Sequence, residues 1–121
     1  MPKLDHEKLT VYQTSIRFVT WSSELLKEVP KNIAVHNQFD RAMTSIPLNL
    51  AEGNGKYTPA DRCRFFDIAR GSALECAACL DVMVARNIIP PLRAEQGKEL
   101  LVEIVSMTVG LIRANSKQRA V

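Results

Sequence analysis

Three short breaks divide this chain into four segments, and that division limits the folds open to it. Pro30 interrupts the first run of regularly spaced apolar residues, GNGKY (53–57) the second, and IIPPLR (88–93) the third. Between the breaks, apolar residues recur at helical spacing. Leu9, Tyr12, Ile16, Val19 and Leu26 mark a helix over about 6–29. Phe39, Ala42, Met43, Ile46 and Leu50 mark a second over 33–52. A third, over 59–87, carries Phe65, Phe66, Ala69, Ala73, Cys76, Leu80 and Met83; the fourth, over 91–115, carries Leu100, Leu101, Ile104, Val105, Leu111 and Ile112. Thr58-Pro59 with Asp61 reads as an N-cap, a first-turn proline and a first-turn acid. One glycine of GNGKY is expected in the left-handed conformation that ends a helix. No stretch alternates as a strand would. Four helices with short connections make antiparallel neighbours, so the expected fold is all-α: one up-down four-helix bundle spanning 1–121.

The bundle is expected to self-associate. Met107 and Val109 widen the apolar stripe of the last helix beyond one face, and Gly71, Ser72, Ala73, Ala77 and Ala78 allow close backbone approach on the third. Pro47 lies inside the second helix, where it removes an N–H and is expected to kink it, with Thr44 and Ser45 available to bond the freed groups. Behind it Arg41, Ser45, Asn49 and Glu52 share one side of the helix, opposite Ser72 and Glu75 of the third. Three readings stay open for this row: a buried polar network, a pocket built on Arg41, Glu52 and Glu75, or an interface. The network reading expects Glu52 to tie the second helix to the third.

Candidate chemistry is sparse. His6 and His36 are the only histidines, and neither has a glutamate three residues before it, as a di-iron bundle requires. Cys76 and Cys79 form a lone C-x-x-C, whereas a structural zinc site takes four ligands, usually from two such pairs. Three cysteines without a signal-peptide core suggest reduced thiols and a cytoplasmic protein. No run is long and apolar enough to span a membrane. No catalytic residue, metal or cofactor is expected.

The net charge of +3 is mild, but its distribution is uneven. Lys56, Arg62, Arg64 and Arg70 gather at the second connection, Arg86 and Arg93 at the third, and Arg113, Lys117 and Arg119 in the tail. Asp61 and Asp67, each three residues from an arginine, offset part of this. Nucleic-acid phosphates are the expected ligand of Lys56, Arg62, Arg64, Arg86, Arg113 and Lys117. No aromatic platform for stacking single strands is evident.

FDRAMTSIPLNLAEGNGKYTPADRCRFFDIARGSALE (39–75) resembles the core motif of the 23S rRNA-intervening-sequence protein family. The family pattern is met by Arg41, Ala42, Ser45, Ile46, Asn49, Ala51, Glu52, Gly53 and Gly55, and then by Ile68, Ala69, Gly71, Ser72 and Glu75. Leu50 and Lys56 stand where an isoleucine and an arginine are usual. The resemblance implies a four-helix bundle in a ring, with a homopentamer as the first expectation, because the family is similar to the accessory variability protein of diversity-generating retroelements, which binds a reverse transcriptase and nucleic acid. It implies no catalytic residue. Two functions follow as expectations: a non-enzymatic oligomeric protein that binds RNA or DNA, or a scaffold that presents its surface to a protein partner.

Overall fold

The computed structural model describes residues 3–116 and contains four α-helices: α1 (Thr10–Leu26), α2 (Ala34–Asn54), α3 (Pro59–Ala85) and α4 (Pro91–Asn115). Each helix packs on two others: α1 on α2 and α4, and α3 on α2 and α4, while the backbones of the diagonal pairs stay apart. Connections of a few residues turn the chain back each time, so neighbours run antiparallel around one core. Phe18, Phe39, Phe66, Leu25, Ile46, Leu50, Leu80, Met83, Ile104 and Ile112 are its largest fully enclosed side chains. Among the described residues there is no strand, and no helix is long and apolar enough to cross a membrane.

The first helix departs most from the sequence reading. Asp5–Lys8 form a separate 3₁₀ turn, and extended Leu9 (φ −73°, ψ 126°) redirects the chain before α1 begins. The turn is held against the end of α2, where Asn54 Nδ2 donates to Asp5 Oδ2 at 2.9 Å. At the other end of α1 the hydrogen bonds tighten to the i−3 pattern through Lys27, Glu28 and Val29, which tucks Val29 into the core. The buried stripe of α1 is Val11, Thr14, Ser15, Phe18, Ser22 and Leu25. Expected Ile16 is exposed, while Leu9, Tyr12, Val19 and Leu26 sit partly buried at the margins.

α2 continues two residues beyond its expected end and runs unbroken through the buried Pro47. The glycines of GNGKY do not serve as left-handed caps: no glycine among the described residues has a positive φ. Gly53 is helical and buried where α2 meets α3. A Cβ there would lie 2.8 Å from Phe66 Cε1 and 3.1 Å from Phe65 Cβ, so the glycine serves close approach. The left-handed residue is Asn87 (φ 59°), beyond the end of α3. Ile88 N–H donates to the Met83 carbonyl at 2.8 Å and Asn87 N–H to the Val84 carbonyl at 3.0 Å, a Schellman closure. At the start of α3, Thr58 Oγ1 accepts from the Asp61 N–H at 3.1 Å, and Pro59 opens the helix.

Candidate nucleic-acid interface

The end of the bundle where α2 passes into α3 collects most of the expected cations. Cys63 Sγ reaches the Ile112 carbonyl at 3.7 Å, which fixes the last turn of α4 beside the first turns of α3. Arg113 therefore belongs to the same end as Lys56, Arg62 and Arg64. Arg86, just past α3, lies at the far end with Arg93. Lys117 and Arg119 lie outside the described residues.

These side chains do different work. Arg62 is half-buried; its Nε donates to the Lys56 carbonyl at 2.8 Å and its Nη2 to the Asn54 carbonyl at 3.2 Å. Its charge closes the carbonyl-rich C-terminus of α2 and pins the connection, so Arg62 is a structural cap rather than a free phosphate contact. Lys56 Nζ and the Arg64 guanidinium lie 5.0 and 5.1 Å from the centroid of the Phe65 ring. Arg64 and Arg113 are exposed, and among the described residues neither they nor Lys56 forms an ion pair. The expected Asp61–Arg64 pair is not formed. At the far end Arg93 is occupied: it bonds Glu28 Oε2 at 2.8 Å and covers the Trp21 ring at 5.2 Å.

The polar row of α2 separates into three parts. Ser72 Oγ donates to Ser45 Oγ at 2.8 Å across the α2–α3 seam, and Asn49 Nδ2 donates to the Ser45 carbonyl and hydroxyl at 2.8 and 2.9 Å. Thr44 bonds the Asp40 carbonyl at 2.8 Å, not the Met43 carbonyl, four residues before Pro47, that the proline leaves without its helical N–H partner. Arg41 and Glu75 are exposed and line an open cleft of about 370 Å³ with Gln38, Ala42, Ser45 and Ser72. They join no hydrogen-bonded network. Glu52 is exposed, lines neither network nor cleft, and has no hydrogen-bond or ion-pair partner among the described residues. The expectation that it ties α2 to α3 is therefore corrected: the seam is made by serine hydroxyls, and a carboxylate one turn beyond Asn49 points to water.

A contrast in stability follows. Glu52→Ala should shift stability by less than about 0.5 kcal/mol, as exposed substitutions do. Ser45→Ala should lower it by about 1–2 kcal/mol, because it removes the acceptor of the Ser72 hydroxyl. Urea titrations of the two variants check the pair; equal losses would restore Glu52 to the seam.

The cysteines are core residues: Cys63, Cys76 and Cys79 are all buried and free. Burial pushes the Cys76 thiol up, helped by Cys79 and Glu75, and burial followed by Glu75 raises Cys79. Both thiols stay protonated, which disfavours thiolate chemistry. Among the described residues no group of three His, Cys, Asp or Glu side chains is placed to hold a metal.

One further surface escaped the sequence reading in part. α3 exposes a second apolar row, Ile68, Gly71, Leu74, Ala78 and Val82, on the side away from its buried stripe. Beside it an apolar groove of about 500 Å³ runs between α3 and α4, lined by Leu74, Ala77, Leu101, Val102 and Val105 among others. Lys98 and Asp81 pair across it.

Comparison with known proteins bears on this geometry. The model of the 23S rRNA-intervening sequence protein family matches residues 7–110. A crystal structure of a protein of unknown function from the S23 ribosomal protein family of Bacteroides thetaiotaomicron superposes with a TM-score of 0.80 at 23% identity, covering 86% of this chain and 99% of that one. That likeness shows a shared fold. No curated protein matches.

Proposed function

The chain belongs to the 23S rRNA-intervening sequence protein family, and from that premise we propose that it is a non-enzymatic, oligomeric accessory protein that binds nucleic acid. The observation that carries the binding reading is the basic end of the bundle, which Lys56, Arg64 and Arg113 share and where, among the described residues, none of the three forms an ion pair. Exposed cations free of protein carboxylates are what phosphate contact requires, since binding gains from releasing the counterions of the nucleic acid. A ring of copies multiplies the net +3 of each chain and repeats the basic end at regular intervals.

Self-association rests on the α3–α4 side. Leu74, Val82 and Val102 are 47%, 43% and 68% exposed around the apolar groove. Gly71 and Gly110 interrupt helix interiors, yet a Cβ on either would meet nothing within 4 Å in its own chain. A mid-helix glycine lowers helix stability by about 1 kcal/mol relative to alanine. Close approach of a second copy gives both glycines a purpose, and five copies is the number the resemblance implies. The same apolar side favours the second reading, a scaffold that presents this face to a different protein.

Light scattering on the purified chain tests the assembly. The expected mass is several times the 13.5 kDa of one chain, and Val102→Asp should release monomers, since it puts a charge into an apolar contact. A monomeric wild type would remove the ring and leave the apolar face to a foreign partner.

A further inference from the structure

We propose that the nucleic acid held at the basic end is single-stranded, and that Tyr57 is the residue on which one of its bases stacks. The inference rests on the nucleic-acid reading above and narrows it to a class of strand. Tyr57 lies in the α2–α3 connection and is 101% exposed, the most exposed of the large hydrophobic side chains among the described residues. A tyrosine usually buries its ring against the protein and leaves only its hydroxyl to water. Here the ring contributes nothing to the core.

The backbone that carries it is nonetheless fixed. Arg62 holds the carbonyls of Asn54 and Lys56, immediately before Tyr57, and Lys56 N–H donates to the Gly53 carbonyl at 3.2 Å. Immediately after it, Thr58 caps α3. Four hydrogen bonds thus hold a short turn whose one unsupported member is an aromatic ring. Presenting a free ring on a pinned turn lowers the ordering cost of binding, because only the ligand and one side chain remain to be immobilised.

The neighbours of Tyr57 supply the other half of the recognition. Lys56 and Arg64 are held over the Phe65 ring, one residue and seven residues along the chain. An aromatic ring beside phosphate-seeking cations is the pairing that single-strand binders use: the cations follow the backbone, and every base has a face to stack. A duplex keeps its base faces inside the helix, so it can use the cations but not the ring. No aromatic platform for single strands is evident from sequence, and the proposal puts a single ring in its place. Seven aromatic residues, dispersed along 121, show no platform in sequence; full exposure of one of them in a pinned basic turn does.

Fluorescence anisotropy with a labelled uridine dodecamer and a labelled 12-base-pair RNA duplex, at low salt, tests this on the full chain. Wild type and Tyr57→Phe should bind the single strand alike, and Tyr57→Ala should weaken it by roughly tenfold, the effect of losing one stacked base. All three should bind the duplex equally and melt at the same temperature. Equal single-strand affinity for Tyr57→Ala and wild type would overturn the stacking role while leaving phosphate binding intact. An equal loss on both probes would also overturn it, since no base face is available in the duplex. Failure of the wild type to bind either probe would remove the nucleic-acid reading itself, and the stacking role with it.

Discussion

Gly53→Ala should lower the melting midpoint by about 8 °C, corresponding to a loss of about 2 kcal/mol in a chain of this length. The added methyl would lie 2.8 and 2.9 Å from Cε1 and Cδ1 of Phe66, inside van der Waals contact. Phe66 is 1% exposed and packed on all sides, so its ring has nowhere to turn. The Phe65 Cβ at 3.1 Å blocks the other escape, because it moves only with the backbone of α3. Relief therefore requires the last turn of α2 to back away from α3, opening the seam. Alanine regains about 1 kcal/mol of helix propensity, which offsets part of the strain but not all of it. Gly55→Ala is the internal control: its nearest atoms are backbone carbonyls at 3.6 Å, and its φ of −82° suits any residue. Calorimetry that found the two variants equally stable would show that the close approach at Gly53 is not a constraint.

The charge-reversed triple variant Lys56→Glu, Arg64→Glu, Arg113→Glu should lose more than about 100-fold in affinity for single-stranded RNA at low salt. Each site replaces an attractive phosphate contact by a repulsive one at the same end of the bundle. Stability should hold within about 1 kcal/mol, because Arg64 and Arg113 are exposed and the cation–π contacts of Lys56 and Arg64 with Phe65 are surface interactions. Arg62 is left out by design. Its guanidinium holds two carbonyls of the α2–α3 connection, so Arg62→Glu would disturb the turn as well as the charge. Arg86→Glu, at the far end, is the control for net charge when compared with Arg64→Glu alone, since the two single variants change it equally, and the far-end reversal should have a small effect. Equal losses from both ends would mean that overall charge, and not a site, governs binding.

Much of the fold is legible in the chain because its punctuation is chemical. Proline at the first turns of α3 and α4, Thr58 as a cap and the apolar periodicity of α2 and α3 each have one structural meaning, and local and tertiary preferences agree there. The core face of α1 was not legible for a physical reason. Its buried stripe includes Thr14, Ser15 and Ser22, which read as polar. Ser15 donates to the Tyr12 carbonyl at 2.6 Å, so a small hydroxyl pays its own desolvation locally and passes as a core residue. The glycines misled in the opposite sense. Gly53 looks like a terminator, yet its role depends on where Phe66 lies, which no local rule encodes.

The site divides along the same line. That cations cluster at the second connection is visible in sequence, since Lys56, Arg62 and Arg64 are close along the chain. That Arg113 joins them depends on α4 returning beside α3. That Arg62 is consumed as a cap, while Lys56 and Arg64 settle on Phe65, depends on side-chain geometry within one turn. Glu52 shows the limit most clearly: three-residue spacing places it on the same side as Asn49, but the few ångströms between facing α3 and facing water are set by how the two helices cross.

The most direct test of the account is the salt dependence of wild-type binding to the single-stranded RNA probe, followed by anisotropy from low to high salt. The account predicts that affinity falls steeply with added salt. It also predicts that the slope of log affinity against log salt is shallower by about 2 when Lys56, Arg64 and Arg113 are all alanine, as expected for the loss of three single-strand phosphate contacts. A slope unchanged by the triple substitution, or binding indifferent to salt, would contradict it.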